Sequence, residues 1–275
     1  MNLENMCKKK VLAVLVNYGG EQVEYLKLVL KELKAFRKFD VYTIVHSNIF
    51  INDINIDEIK IIKLENFQLL PLTCRKTIWE RRELFDFFYY GENDHLFTEN
   101  HLDNHIRYTK ILPSNKIPGL IQFEQKDNVK YFPALHANYS WRQKVWNYGN
   151  LKFGHFDNLH QASFLLDKNQ LFKVSRKIDF LSLYYPKPNI IQKVLIKFKK
   201  KFGYDVNVKN KYSVKCKVNT DIYEHGGFLK LICISEFNNN LIHHLPNLYI
   251  NGEKGRKKLR GESQLMYSQV QNLLN

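Results

Sequence analysis

The segment Phe85-Asp-Phe-Phe-Tyr-Tyr-Gly-Glu-Asn-Asp94-His-Leu-Phe-Thr98 joins a largely apolar run of strand length to two carboxylates and a helix start. Residues 85–90 are apolar enough to lie in a sheet that is covered on both faces. Glu92 and Asp94, two residues apart, then emerge on one side of the chain where the strand ends. Ligands of open α/β sheets bind beyond the carboxyl ends of the strands, and Mg²⁺ or Mn²⁺ prefers oxygen ligands. The segment therefore predicts a metal and phosphate site, although such acid pairs are also common in surface turns.

Two strands and a helix are predicted upstream of this segment. Residues 11–16 are a continuous apolar run of strand length, and residues 41–46 are predicted to form a second strand. Residues 21–39 between them carry apolar side chains at helical spacing. A β-α-β order of this kind predicts a parallel, doubly wound sheet. Residues 59–64 are expected to form a third strand, and residues 75–84 a helix that leads into the motif strand. The predicted class is therefore α/β, a Rossmann-type mixed sheet flanked by helices.

Strands also dominate the predicted C-terminal half. Thr98 is expected to cap a helix that runs to Leu112, and Asp167 a helix that runs to about Ile178. No internal repeat or long linker divides the sequence, so one domain is expected over residues 1–275. Further strands are predicted at residues 120–123, 129–132, 144–148, 151–156 and 162–166.

The cysteine content and the lengths of the apolar segments indicate where in the cell the protein is located. The four cysteines among the 275 residues form no Cys-x-x-Cys pair, which favours a reducing compartment over a disulfide framework. No segment approaches the roughly 20 consecutive apolar residues of a membrane span, and the apolar run at 11–16 is short for a signal peptide. We expect a cytoplasmic protein, or one that lies on the cytosolic face of a membrane.

The net charge of +15 favours an anionic partner. Residues 193–217 contain nine lysines and one acid, Asp205, and apolar side chains recur at helical spacing from Ile190 to Phe202. A helix of this kind can lie on an anionic membrane surface, so residues 190–217 are a candidate membrane contact. A solvated surface segment is the simpler interpretation. A nucleic-acid-binding protein is the rival class, but no RNA- or DNA-binding signature accompanies the charge.

The segment from Tyr90 to Thr98 resembles the metal motif of bacterial and viral glycosyltransferases of the GT-A fold. That motif is roughly Tyr-x-Glu-Asp-Asp, followed by an apolar residue and a Thr-led helix. Three other segments are similar to the same group: Thr73-Cys-Arg75, residues 155–166 and residues 242–247. Asn93 departs from the pattern, because it stands where a middle acid is commoner.

The resemblance implies a metal-assisted glycosyltransferase. Such an enzyme moves a hexosyl or pentosyl group from a nucleoside diphosphate, with UDP slightly favoured, to a hydroxyl of a saccharide or lipid-linked acceptor, and it uses Mn²⁺ or Mg²⁺. Residues of about 10–112 are then expected to bind the nucleotide sugar and residues of about 113–250 the acceptor, followed by a basic tail at 251–275. A non-catalytic nucleotide-sugar binder of the same fold is the second alternative, suggested by Asn93.

The resemblance also suggests which side chains bind the metal and the donor. Asp94 and one of the adjacent histidines, His243 and His244, are expected to bind the metal, with His243 slightly favoured. The candidate donor-binding residues are Asn17, Tyr18, His46, Ser47, Arg75, Glu92 and Asn93.

Three further residues are candidates for acid–base chemistry. Asp157 lies in a polar cluster between two strand-like runs and is expected to orient the acceptor hydroxyl or act as its base. His160 is the alternative base, and Glu224 is held in reserve. For each of them a structural hydrogen-bonding role is the competing interpretation.

Overall fold

The computed structural model describes residues 8–133, 140–185, 212–251 and 263–275, and the single residue 198. Within these ranges the chain is an α/β structure in which three mixed β-sheets pack with helices. None of the helices in these ranges is long and apolar enough to cross a lipid bilayer. Most of residues 190–217 fall outside the described part, so the membrane contact stays a prediction.

Strands and helices alternate along much of the described chain. The strands are β1 (Lys9–Asn17), β2 (Phe39–Ser47), β3 (Glu58–Ile61), β4 (Phe87–Glu92), β5 (His95–Leu96), β6 (Lys116–Pro118), β7 (Ile121–Lys126), β8 (Val129–Tyr131), β9 (Trp141–Tyr148), β10 (Leu151–Phe156), β11 (Ser163–Asp167), β12 (Leu229–Cys233) and β13 (Leu241–His244). The helices are α1 (Val23–Lys34), α2 (Leu70–Glu80), α3 (Glu99–Ile111), α4 (Lys168–Ser175), α5 (Val214–Glu224), α6 (Leu248–Asn251) and α7 (Ser263–Leu274).

The strand order of the five-stranded sheet reverses at β1. Its strands lie in the order β11-β4-β1-β2-β3. β1 pairs in parallel with both β2 and β4, and β2 pairs in parallel with β3, whereas β11 is antiparallel to β4. The carboxyl ends of β1 and β4 therefore flank a topological switch point, the usual ligand position of an open α/β sheet. The predicted α/β class is confirmed.

β1 is apolar over residues 11–16 because helices cover both faces of the sheet. Successive side chains of a strand point to opposite faces, so the run divides into two sets of three. All six side chains are fully buried. Val11, Ala13 and Leu15 pack in one cluster with Leu26, Leu30 and Leu33 of α1, and Leu12, Val14 and Val16 pack in another with Leu70 and Cys74 of α2 and Val218 of α5.

Two four-stranded sheets complete the described fold, with the orders β6-β12-β10-β9 and β5-β13-β7-β8. In the second of these, β13 pairs antiparallel with β5 and parallel with β7. β5 begins one residue after Asp94, so this pairing joins the acidic motif to a strand near residue 243. The N–H of Leu245 extends the link by donating to the carbonyl of Asp94 at 2.9 Å.

Both predicted helix caps are observed, but one helix begins earlier than expected. Asp167 Oδ1 accepts a hydrogen bond from the N–H of Gln170 at 2.7 Å, and Thr98 precedes the first residue of α3. α2 begins at Leu70 rather than at residue 75, because Pro71 lies in its first turn, where a helix tolerates proline.

Two late elements also differ from the predictions. One is α5, a helix that no local sequence pattern predicts, and Tyr223 and Glu224 are its last residues. α7 occupies part of the predicted basic tail, and its Met266 and Val270 are buried in a hydrophobic cluster. α5 was missed because polar side chains such as Asp221 are buried along with apolar ones, which hides the amphipathic pattern.

Candidate metal centre

Three polar side chains cross-link the carboxyl ends of β1, β2 and β4. Asn17 Nδ2 donates to Ser47 Oγ at 3.1 Å and to the carbonyl of Gly19 at 3.0 Å. Asn93 Nδ2 donates to Asn17 Oδ1 at 2.6 Å. All three side chains are buried. The structure thus brings together three of the predicted donor-site residues, and their bonds hold the loop after β4 at the switch point.

This loop places one carboxylate between two imidazoles. Asp94 Oδ1 lies 2.6 Å from His95 Nδ1, and Asp94 Oδ2 lies 3.3 Å from His244 Nε2. One ligating atom from each residue can be chosen so that the three lie within 4.8 Å of one another, and all three residues are buried. We call Asp94, His95 and His244 the metal cluster.

The pairing of β5 with β13 positions the two imidazoles. His95 and His244 are directly opposite in this antiparallel pair, so their side chains project from the same face. The ring centroids lie 4.8 Å apart. Residues separated by about 150 positions in the chain therefore meet through backbone hydrogen bonds.

A second carboxylate lies on the far side of His244. Glu124 is fully buried, and its Oε1 lies 2.6 Å from His244 Nδ1. Burial alone disfavours a charged imidazole, but Asp94 and Glu124 together raise the pKa of His244 to about 9. Although burial opposes it, the neighbouring His95 and His244 hold the pKa of Asp94 well below its ordinary value.

The donor set of the metal cluster suits a transition-metal ion. Imidazole nitrogen is a ligand for transition metals, whereas Mg²⁺ prefers oxygen ligands. His95 Nε2 is buried and has no hydrogen-bond partner among the described residues, which leaves one ring nitrogen available for a ligand. These residues fit Mn²⁺ or another transition-metal ion better than they fit Mg²⁺.

A tyrosine, a carboxylate and a lysine lie near one another at the same sheet edge. Lys215 Nζ lies 5.9 Å from the centroid of the Tyr18 ring, and that ring packs edge-on against Phe67 with centroids 6.1 Å apart. Burial raises the pKa of Glu92 above its ordinary value, an effect that Lys215 opposes and Asp94 reinforces. The predicted residues Tyr18 and Glu92 therefore share this edge with a partly buried cation.

His243 lies outside the metal cluster. Adjacent residues of a strand point to opposite faces, and the His243 ring stacks on Phe123 with centroids 4.8 Å apart. Burial lowers the pKa of His243 to about 4, and the neighbouring His244 contributes to that shift. The structure places His244 beside Asp94, which corrects the preference for His243.

His46 faces α2 and not the switch point. Its Nδ1 lies 2.6 Å from Thr73 Oγ1, and its Nε2 lies 3.0 Å from Thr77 Oγ1. Burial lowers the pKa of His46 to about 3, so the ring is neutral near pH 7. The predicted contact of His46 with the donor is therefore replaced by a structural contact between β2 and α2.

Arg75 is enclosed by backbone carbonyl groups. The guanidinium is fully buried and donates to the carbonyl of Val218 from Nε at 3.0 Å and from Nη2 at 2.8 Å. Its Nη1 donates to the carbonyl of Ser182 at 2.9 Å. These bonds join α2 to α5, so the structure does not bring Arg75 to the donor site that the sequence predicted.

Asp157 and His160 lie near two different features. Asp157 accepts a hydrogen bond from Ser140 at 2.8 Å and is partly exposed near the end of β10. His160 is buried and lines a small cavity with Asn158 and Gln122. Gln122 lies in β7, two residues before Glu124, so His160 is the candidate base that the structure connects to the strand beside the metal cluster.

Glu224 lies at the far end of the helix that begins beside the site. Lys215 is in the first turn of α5 and borders Tyr18, whereas Glu224 is the last residue of the helix and is exposed. Nine residues of helix separate them by about 14 Å along the axis. Glu224 therefore lies away from the residues that the structure brings together at the sheet edge.

Sequence reasoning missed His95, Glu124 and Lys215. His95 directly follows Asp94, and a histidine next to a predicted metal-binding carboxylate could have been recognised as a second candidate ligand. Glu124 follows the predicted strand at residues 120–123 and lies in the polar second half of β7, so its burial could not be foreseen from the local pattern. Lys215 is one lysine among nine in a basic segment, so no local pattern distinguishes it.

Comparisons with known proteins provide no family for this chain. No protein-family model matches the sequence, and a search of curated proteins gives no significant relative.

Proposed function

We propose that this chain is a metal-assisted glycosyltransferase of the GT-A type. It would transfer a sugar from a nucleoside diphosphate to a hydroxyl of a saccharide or lipid-linked acceptor. The observation that carries the proposal is the position of the metal cluster directly after β4, beside the switch point between β1 and β4. Ligands of open α/β sheets bind at such points.

The strand order supports a nucleotide at this edge. Parallel strands in the order β3-β2-β1-β4 form half of a doubly wound sheet, the arrangement that nucleotide-binding folds use. Tyr18 follows β1 at the switch point, and its hydroxyl has no hydrogen-bond partner within the described part of the chain. The ring and the hydroxyl of Tyr18 are suited to a nucleobase and a ribose, respectively.

The charges at this edge suit a diphosphate leaving group. Asp94, His95 and His244 would hold a transition-metal ion, whose positive charge stabilises the departing diphosphate. Lys215 adds a cation on the β1 side, close to Tyr18. Glu92 interacts electrostatically with both Lys215 and Asp94, and burial raises its pKa above the ordinary value.

The acceptor side is assigned to residues near β7. His160 shares its cavity with Gln122, so we propose it as the first candidate to accept the proton of the acceptor hydroxyl. Asp157 is the second candidate. Its carboxylate already accepts a hydrogen bond from Ser140, and it lies 3.7 Å from His155 Nε2.

Thermal-shift measurements test the proposed donor site. UDP-, GDP-, CMP- and dTDP-linked sugars are each added without metal, with Mn²⁺ and with Mg²⁺. We expect one nucleotide class to raise the melting temperature only with a metal, and more with Mn²⁺ than with Mg²⁺, because a ligand that binds the folded chain stabilises it. Asp94→Asn and His244→Ala should remove the metal-dependent part of the shift, whereas the matched control His243→Ala should retain it.

The same samples separate the enzyme from its alternatives. Release or transfer of the sugar in the presence of candidate acceptors supports the glycosyltransferase. A metal-dependent shift without any turnover indicates a non-catalytic nucleotide-sugar binder. If no nucleotide sugar gives a metal-dependent shift, the proposed function is wrong.

A further inference from the structure

We propose that Glu124 is a positioning residue for the metal cluster, which holds the His244 imidazole with Nε2 directed at Asp94. This inference rests on the proposed function and names the residue that prepares its metal site.

The two ring nitrogens of His244 face two different carboxylates. Nδ1 lies 2.6 Å from Glu124 Oε1, and Nε2 lies 3.3 Å from Asp94 Oδ2. A carboxylate oxygen accepts hydrogen bonds, so both ring nitrogens can donate to their carboxylates in the metal-free chain. A metal ion held by Asp94 would replace the hydrogen at Nε2 and release it as a proton, while the hydrogen at Nδ1 stays in the bond to Glu124.

Glu124 is itself held in place. Its side chain is fully buried, and the N–H groups of Tyr249 and Ile250 donate to Oε2 at 3.1 and 2.8 Å. The parallel register of β7 with β13 pairs Phe123 with His243, which brings the next residue of each strand close together. Glu124 is therefore a rigid support, and its bond to His244 is additional to the backbone bonds that anchor it.

This arrangement has a known physical effect on metal ligands. A carboxylate behind a ligating histidine fixes the tautomer and the orientation of the ring, and loss of such a carboxylate weakens metal affinity by about 10–100-fold. In Glu124→Gln, the amide can donate a hydrogen bond to Nδ1, which favours the opposite tautomer and directs an N–H at Asp94. The amide oxygen can still accept from the backbone, so the variant is suited to retain the fold.

Mn²⁺ titration followed by electron paramagnetic resonance of the free ion tests the proposal. We expect Glu124→Gln to bind Mn²⁺ 10–100-fold more weakly than the wild-type chain. The matched control is Glu236→Gln, which removes a carboxylate that binds Arg107 and Tyr108 instead of a cluster histidine. The control should bind Mn²⁺ as the wild-type chain does, and thermal melts of both variants verify folding.

A second measurement uses the wild-type chain alone. In the Zn²⁺-loaded protein, nitrogen-15 chemical shifts of His244 should identify Nδ1 as the protonated nitrogen and Nε2 as the metal-bound one. The proposal is overturned if Nδ1 binds Zn²⁺, or if folded Glu124→Gln retains wild-type Mn²⁺ affinity, and either result leaves the metal site intact. A wild-type chain that binds no metal would overturn the proposed function as well.

Discussion

Asn93 Nδ2 donates a 2.6 Å hydrogen bond to Asn17 Oδ1 and so joins the carboxyl ends of β4 and β1 across the switch point. Asn17 in turn donates to Ser47 at the end of β2. Three parallel strands therefore end in one buried polar network. The side chain of Asn93 is bonded within this network, so Asp94 is the residue of the acidic motif that faces the histidines.

Asn93→Asp should destabilise the chain, even though an acid is commoner at this position in the glycosyltransferase metal motif that the segment resembles. Asn17 Oδ1 would lose its donor and face a second acceptor, which costs about 1–3 kcal/mol in the free energy of unfolding. Urea unfolding measures this loss. The control is Asn66→Asp, because Asn66 is exposed and its Oδ1 only accepts from Gln68, as a carboxylate also can. Unchanged stability together with tighter Mn²⁺ binding would instead assign residue 93 to the metal.

Arg75→Met should lower the stability of the chain. The molecules that remain folded should bind nucleotide with the affinity of the wild-type chain. The substitution removes the charge-assisted hydrogen bonds from the buried guanidinium to the carbonyls of Val218 and Ser182, at a cost of about 1–3 kcal/mol. Denaturant unfolding and nucleotide titration are measured on the same preparation. The neighbouring Lys76→Met is the control, because Lys76 is exposed on α2 and should change stability by less than about 0.5 kcal/mol. A stable Arg75→Met that binds nucleotide poorly would restore the phosphate role.

Gly91→Ala should destabilise the end of β4. A Cβ atom at this position would lie 2.7 Å from Cζ of Tyr89, whose buried ring stacks on Phe97 with centroids 4.1 Å apart. Because the ring has little room to move, we expect a loss of about 1–3 kcal/mol in unfolding free energy. Gly20→Ala is the matched control, since its Cβ would meet one ordinary contact with Ile49. Equal stability of the two variants would show that Tyr89 moves freely.

The buried Lys230 should make stability depend on pH. Burial lowers its pKa from the ordinary value of 10.5 to about 7, with a hydrogen bond from Nζ to the carbonyl of Leu159 at 3.2 Å. Between these two values the unfolded chain binds one more proton at this side chain than the folded chain does. The free energy of unfolding therefore rises with pH in this window, by up to about 1.4 kcal/mol per pH unit.

Lys230→Met isolates this contribution from those of other titrating groups. Urea unfolding of both chains is measured from pH 7 to pH 10, and the stability of the wild-type chain relative to the variant should increase across the range. A constant difference between the two chains would mean that Lys230 stays charged in the folded state.

Much of the five-stranded sheet could be predicted from local patterns. The apolar run at residues 11–16 requires cover on both faces, and the structure provides it through α1 on one side and α2 and α5 on the other. The position of Glu92 and Asp94 at the end of β4 and of Asn17 at the end of β1 also follows from the chain order, because parallel strands end at one edge. The late elements α5 and β12 were not predicted, since buried polar residues interrupt their periodicity.

The sequence alone determined that Asp94 follows a buried strand and that two histidines occur together near residue 243. It could not determine which of them meets Asp94, because a shift of one residue in the pairing of β13 exchanges the faces of its side chains. Only the register of β13 with β5 and β7 brings His244 to Asp94 and Glu124 and turns His243 toward Phe123. Likewise, Arg75 has the chemistry of a phosphate ligand, but the packing of α2 on α5 surrounds it with carbonyl groups. Side-chain chemistry is local, whereas the partners of each side chain are set by pairing and packing between distant segments.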